Sequence, residues 1–218
     1  MEVVTDSGNS LLRFSKLDGI NMSGGSTLTG YLTVNACTIS DNLSDGINAS
    51  SSSSATYDIS VTDSAIQNNG GNGIYLDAGS SEIAHLAVSG STIADNTLHG
   101  IYTRSSTATT FDISVTGSSI LNNGDYGIYN DDTNSIVSAE NNWWGDSSGP
   151  DPYGTGNGIN YHTVYDSTCD CRIIDHFYVD VVPWVGMESN YGADIPWVNY
   201  AGEPVNTANG NYVYQHTD

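Results

Sequence analysis

Apolar and polar residues alternate in short bursts along this chain, and the bursts return at a fixed interval. The segments LTVNACTISDNLSDGIN from Leu32, ISVTDSAIQNNGGNGIY from Ile59, LAVSGSTIADNTLHGIY from Leu86 and ISVTGSSILNNGDYGIY from Ile113 each start 27 residues after the last. Within them Leu32/Val34, Ile59/Val61, Leu86/Val88 and Ile113/Val115 alternate with polar neighbours, which is the period of a half-buried strand. Val34, Val61, Val88 and Val115 form one apolar column, and Ile39, Ile66, Ile93 and Ile120 form a second. Gly46, Gly73, Gly100 and Gly127 precede Ile47, Ile74, Ile101 and Ile128. The pattern reaches back to Leu12 and to Gly19-Ile20, and a weaker copy starts near Ile136 and runs into Asn141-Asn142-Trp143-Trp144-Gly145.

A unit of this length cannot bury its apolar face alone. Stacking successive units at the interstrand spacing of about 4.8 Å turns each column into a continuous ladder. The expectation is an all-β parallel β-helix (a β-solenoid) of about six coils, on the order of 30 Å long by that spacing. Asn42, Asn69, Asn96 and Asn123 share the 27-residue period and are expected to form an asparagine ladder, each amide bonded to the coils above and below. The glycine column is expected to supply tight corners. Leucine-rich repeats have similar lengths, but their leucine spacing and helical segment are missing here. Residues 1–150 are assigned to coils, 151–188 to a C-terminal cap, and 189–218 to a polar extended arm containing Pro196 and Pro204.

Composition agrees with strands and turns. The chain has 218 residues, 24 of them Gly, and lacks the Lys, Glu, Ala and Leu mixture of long amphipathic helices. Lys and Arg total 4 against 25 Asp and Glu, for a formal charge of −21. Such a molecule is repelled by nucleic-acid phosphates and anionic membrane surfaces, so neither is expected as a partner. The carboxylates suit a hard cation such as Ca²⁺, although a solvated acidic surface is the preferred explanation; no cofactor is required. No apolar run is long enough for a membrane span. Met1 is followed by Glu2, Val3, Val4, Thr5 and Asp6, which is not a signal peptide. An export signal is therefore expected outside this sequence.

The motif Ser64-Ala65-Ile66-Gln67-Asn68-Asn69 with Gly73-Ile74, and its copies, resembles secreted bacterial right-handed parallel β-helix repeat proteins. Asn141-Asn142-Trp143-Trp144-Gly145-Asp146-Ser147-Ser148-Gly149-Pro150 looks like the end motif of that family, and Val179 to Trp184 is similar to its closing strand. The resemblance covers about residues 11–187 and implies the fold; its members include lyases, hydrolases, epimerases, adhesins and stalks. Gly202 to Tyr212 resembles the opening of a YD-repeat (Rhs-type) shell, which implies a piece of a larger secreted polypeptide. The location implied is extracellular or on the cell surface.

The candidate chemistry is sparse. Tyr75, Tyr102 and Tyr129 lie 27 residues apart, each directly after an inward isoleucine, so alternation turns all three rings outward. Such a row can stack on glycan rings or on a protein, or its rings can stack on one another. Asp77 and Asp131 flank the row and could hold a cation or sugar hydroxyls. Arg104 shares their column, and with Asp132 these residues are expected in one outward cluster. That cluster could serve a Ca²⁺-assisted lyase, or it could be a plain ion-pair ladder. Cys169 and Cys171 with His162 and His176 are a weak metal set beside Asp131 and Asp132, and Cys37 leaves an odd thiol. His85, His99 and His162 are expected as solvated turn residues. Trp143, Trp144 and Trp184 are expected in the core of the cap. Tyr212, Val213 and Tyr214 are candidates for strand addition to a neighbouring subunit, which would give head-to-tail self-association. The leading expectation is a non-catalytic extracellular scaffold: a stalk, adhesin segment or filament subunit. A carbohydrate-binding module and a polysaccharide lyase centred on Arg104 follow.

Overall fold

The computed structural model describes residues 3–7, 11–13, 15–23, 28–51, 55–79, 83–105, 110–132, 135–166 and 171–187. Every described element is a strand. In chain order the first three turns are β1 (Val3–Ser7), β2 (Leu11–Arg13), β3 (Ile20–Asn21), β4 (Leu28–Asn35), β5 (Thr38–Ser40), β6 (Ile47–Ser50), β7 (Ala55–Thr62), β8 (Ala65–Gln67) and β9 (Ile74–Asp77). Then come β10 (Ile83–Ser89), β11 (Thr92–Ala94), β12 (Ile101–Arg104), β13 (Thr110–Thr116), β14 (Ser119–Leu121) and β15 (Tyr126–Asn130). The chain ends with β16 (Val137–Ser138), β17 (Gly158–Ile159), β18 (Tyr161–Asp166), β19 (Cys171–Phe177) and β20 (Val179–Asp180). No described helix is long and apolar enough to cross a membrane.

Every third strand joins the same sheet. The first sheet runs β1-β4-β7-β10-β13-β16-β20, the second β2-β5-β8-β11-β14, and the third β3-β6-β9-β12-β15-β17. Pairing between coils is parallel, and from β4 to β15 the register is one 27-residue step, as in Leu32↔Ile59, Leu86↔Ile113 and Ile74↔Ile101. The result is a parallel β-solenoid. Four turns keep the strict repeat, fewer than the six expected from sequence. A first turn (β1–β3) and a looped last turn (β16, β17) extend the body at its ends. The last turn is irregular because residues 145–156 loop out after Trp143, which still pairs with Ser119, and before β17 rejoins β15. Beyond residue 150 the sheets still gain β17 and β20, and β18 pairs antiparallel with β19 beside them.

Apolar columns fill the interior as the alternation requires. Ile39, Ile66, Ile93 and Ile120 are fully buried, as are Ile47, Ile74, Ile101 and Ile128. Tyr57 fits inside without exposure because its column neighbours are Gly30 and Ala84; a Cβ on Gly30 would stand 3.4 Å from its ring. At the C-terminal end Trp144 and Trp184 are buried as expected for cap core, while Trp143 is only half-buried. Trp184 Nε1 donates to the Ser147 carbonyl at 3.1 Å.

Polar columns connect the coils. In the asparagine ladder, Nδ2 of Asn42, Asn69 and Asn96 donates to Oδ1 of the next Asn at 2.9 Å in each case. Asn123 continues it to Asn157 at 2.7 Å, across the extra loop. A second ladder escaped the sequence reading. The backbone N–H groups of Cys37, Ser64 and Ser91 donate to Oγ of Ser64, Ser91 and Ser118, all at 3.1 Å. The N–H of Ser118 then reaches Asn142 Oδ1 at 2.9 Å.

The corners differ from expectation. Gly46, Gly73, Gly100 and Gly127 do not have positive φ. The left-handed positions are Ala36, Asp63, Gly90, Gly117 and Asn141 at one corner, and Asp41, Asn68, Asp95 and Asn122 at the next. Asn and Asp tolerate that region because their short side chains bond locally. The glycine column instead permits close approach. A Cβ on Gly73 would lie 2.5 Å from the Gly100 carbonyl oxygen and 2.8 Å from Asn96 Nδ2.

Candidate functional site

Ile74, Ile101 and Ile128 point inward on the third sheet, so Tyr75, Tyr102 and Tyr129 point outward. The rings are nearly parallel. Tyr75 and Tyr102 have centroids 5.2 Å apart at 12°, and Tyr102 and Tyr129 lie 5.4 Å apart at 1°. Carbon atoms in contact sit about 3.5–4.0 Å apart, so parallel rings at these centroid distances must be offset, in the arrangement aromatic pairs prefer. They overlap like shingles, and part of each ring stays open; all three side chains are half-buried.

A charged row borders the rings. Tyr75 OH donates to Asp77 Oδ2 at 3.3 Å and Tyr102 OH to Asp131 Oδ2 at 3.2 Å. The Arg104 guanidinium lies between the same carboxylates, with N···O distances of 3.9 Å to each. Asp77 also accepts the Gly79 N–H at 2.9 Å. Burial, then the nearby Asp131 carboxylate, pushes the Tyr102 phenol up to about 12. Burial and then Asp77 raise Tyr75 as well, and Asp77 is the main influence that raises Arg104 further. Arg104, Asp77 and Asp131 thus meet as expected. Asp132 does not: it is buried, and its N–H donates to Asn130 Oδ1. The alternation that faces Asp131 outward turns its neighbour in.

Two aromatic neighbours of this row were not anticipated. His99 stacks on Tyr102 (5.4 Å, 19°) and on Tyr129 (5.0 Å, 19°), and Tyr126 tilts against His99 and Tyr129. The 27-residue period was the signal that could have found them, because Asp18, Asp45, Asn72, His99 and Tyr126 form one column three residues before the ring column. In it each acceptor takes the backbone N–H one coil on. Asp18 accepts from Asp45 (3.0 Å), Asp45 from Asn72 (2.6 Å), Asn72 from His99 (3.2 Å), and His99 Nδ1 from Tyr126 (3.3 Å). The last bond leaves the proton of the neutral imidazole on Nε2. Burial holds the His99 pKa below its ordinary value, partly opposed by Asp125.

His99 is therefore a half-buried column member rather than a solvated turn residue. His85 lies in β10, between Asp58 (Nδ1···Oδ1 2.9 Å) and Asp112 (Nε2···Oδ2 3.8 Å) on the first sheet. His162 lies in β18, opposite His176. The same hairpin puts Cys171 opposite Asp166 at its far end, away from the histidine pair of the weak metal set. Cys169 lies outside the described residues, as do Tyr212, Val213 and Tyr214 of the expected assembly strand, the rest of the arm, and the YD-like tail. Cys37 is a buried free thiol whose Sγ contacts the Asn35 carbonyl at 3.0 Å. Among the described residues no three His, Cys, Asp or Glu side chains converge as a metal site.

Parallel sheets at one coil step and polar ladders define a solenoid repeat protein. The right-handed beta helix region family matches residues 18–195, and the chain belongs to that family. Neither the curated proteins nor the solved structures hold a match to it.

Proposed function

We propose that this chain is a non-catalytic structural module of an extracellular or cell-surface protein, a rigid segment of stalk, adhesin or filament. One observation carries the reading: the side chains best suited to acid–base work serve as links between coils. His99 Nδ1 holds the Tyr126 N–H, Arg104 spans Asp77 and Asp131, and His85 spans Asp58 and Asp112. His99, whose Nδ1 already accepts the Tyr126 N–H, has no free proton acceptor to aim at a substrate. Stiffness follows from the ladders, because parallel pairing and side-chain bonds repeat at each of four successive steps.

Negative-stain electron microscopy of the purified chain, with and without Ca²⁺, tests the mechanical part. Rods or rod-built fibres support a structural segment, and compact particles without a rod axis contradict it. The non-catalytic part is tested by incubation with polyuronates. Release of unsaturated sugars, abolished in Arg104→Ala, would replace this reading with a polysaccharide lyase.

A further inference from the structure

On the outer face of the third sheet, three ring-bearing coils follow one another without interruption. Among the described residues no other outward column repeats an aromatic ring in three successive coils. The ring centroids stand 5.2 and 5.4 Å apart from one coil to the next, and each ring stays partly exposed, although His99 stacks on Tyr102 and Tyr129. Alongside runs the Asp77–Arg104–Asp131 row, with side chains 21%, 51% and 45% exposed. An apolar strip bordered by hydrogen-bonding groups is the chemistry that recognises a sugar. The C–H face of a pyranose packs on the ring, and its hydroxyls bond carboxylate and guanidinium.

Spacing and charge narrow the ligand. A flat, equatorially linked β-1,4 glycan advances by nearly one coil step per sugar, so successive sugars of an extended chain meet successive tyrosines. A helical α-linked chain would leave the row after one contact. The border carries two carboxylates against one guanidinium, on a chain of formal charge −21. A polyuronate or sulfated glycan approaching this face meets a field of its own sign. We infer that the Tyr75–Tyr102–Tyr129 face is a binding site for an extended, uncharged β-1,4-linked glycan lying along the solenoid axis. This is a binding activity beyond the structural role, and it stands or falls separately from the rod shape.

Isothermal titration with cello-oligosaccharides and fully N-acetylated chito-oligosaccharides of two to six sugars, against oligomannuronates of equal length (β-1,4-linked but charged), tests it. Affinity should rise from two sugars to three or four, as one ring after another is engaged, and then level off. Oligomannuronates should bind at least roughly tenfold more weakly. Tyr102→Ala should weaken binding roughly tenfold. Asp131→Asn is the second variant, since it removes one border charge while leaving the ring stack in place. It should relax the discrimination against oligomannuronates with the thermal midpoint preserved. Tyr31→Ala on the first sheet should leave affinity unchanged. Absence of binding to either neutral series overturns the proposal, and so does equal binding of the charged series or insensitivity to Tyr102→Ala in a folded variant.

Discussion

Asn69 and Asn96 are joined twice: the Asn69 side-chain Nδ2 and the Asn69 backbone N–H both donate to the one Oδ1 of Asn96, at 2.9 and 3.1 Å. Asn69 in turn accepts from the Nδ2 and N–H of Asn42, at 2.9 and 3.3 Å. A single buried amide thus satisfies groups of both neighbouring coils. Asn69→Ala leaves the two Asn42 donors without a partner, at about 1–3 kcal/mol for each buried group so orphaned. The expected loss is at least about 2 kcal/mol, read from urea unfolding. A loss below half that figure would mean that water replaces the amide.

Gly73 and Gly117 should respond differently to the same added methyl. Gly73→Ala drives Cβ against the Gly100 carbonyl oxygen, where no backbone can yield without breaking the third sheet's register. The expected cost is about 3 kcal/mol. Gly117 has φ of +57°, with nothing nearer to its Cβ than the Gly90 nitrogen at 4.0 Å. Gly117→Ala should cost about 1–2 kcal/mol of conformational strain alone. Equal costs in urea unfolding would contradict the close-approach role of the glycine column.

Cys37 occupies the serine column, and its Sγ contacts the carbonyl two residues back as Ser64 Oγ does at 2.7 Å. Cys37→Ser should therefore change stability by less than about 1 kcal/mol. Cys37→Val, which offers no donor to the Asn35 carbonyl, should cost about 1 kcal/mol more. The native thiol should resist a thiol-specific reagent until the protein unfolds.

Mild acid should weaken the fold through His99. Its folded pKa is lowered by burial, so the unfolded chain binds the proton more readily. The contribution is complete above the unfolded value of about 6.5 and is lost as pH falls from there through the lowered folded value. His99→Asn keeps an acceptor for the Tyr126 N–H, as Asn72 does for His99, and does not titrate. The variant should lose this component of the pH dependence of the thermal midpoint. An unchanged slope would assign the effect elsewhere.

Alkali should act through Tyr57 and Tyr102, both pushed up to about 12, chiefly by burial. Their phenols ionise more readily once unfolded, so their contribution is complete below about 10 and is lost as pH rises towards about 12. The part of the tyrosinate absorbance that is missing from Tyr57→Phe/Tyr102→Phe should appear together with loss of the native circular dichroism. Tyr57→Phe and Tyr102→Phe together should shift that transition upward.

The parallel β-solenoid was legible from residues alone, because a solenoid writes its geometry into a period. Val34, Val61, Val88 and Val115 recur every 27 residues only if each coil meets the next in the same register. The asparagine ladder and the outward tyrosine row followed from the same period and from two-residue alternation. The serine ladder was equally periodic, but Cys37 at its head and Asn142 at its foot disguised it. Asn157 was hidden as the end of the asparagine ladder, because it lies 34 residues after Asn123 rather than 27.

What the residue order determined by itself was which positions face in, which face out, and which share a column. These depend on local alternation and on one repeat length. Tertiary structure alone decided how column members meet: that the tyrosines overlap as offset rings, that His99 lies on them with Nδ1 committed to Tyr126, and that Asp132 turns inward while Asp131 meets Arg104. It also decided that the repeated glycines make room for a neighbouring carbonyl instead of turning a corner. These outcomes rest on ångström-scale separations across coils and on the competition between burial and hydrogen bonding. A period along the chain does not carry that information.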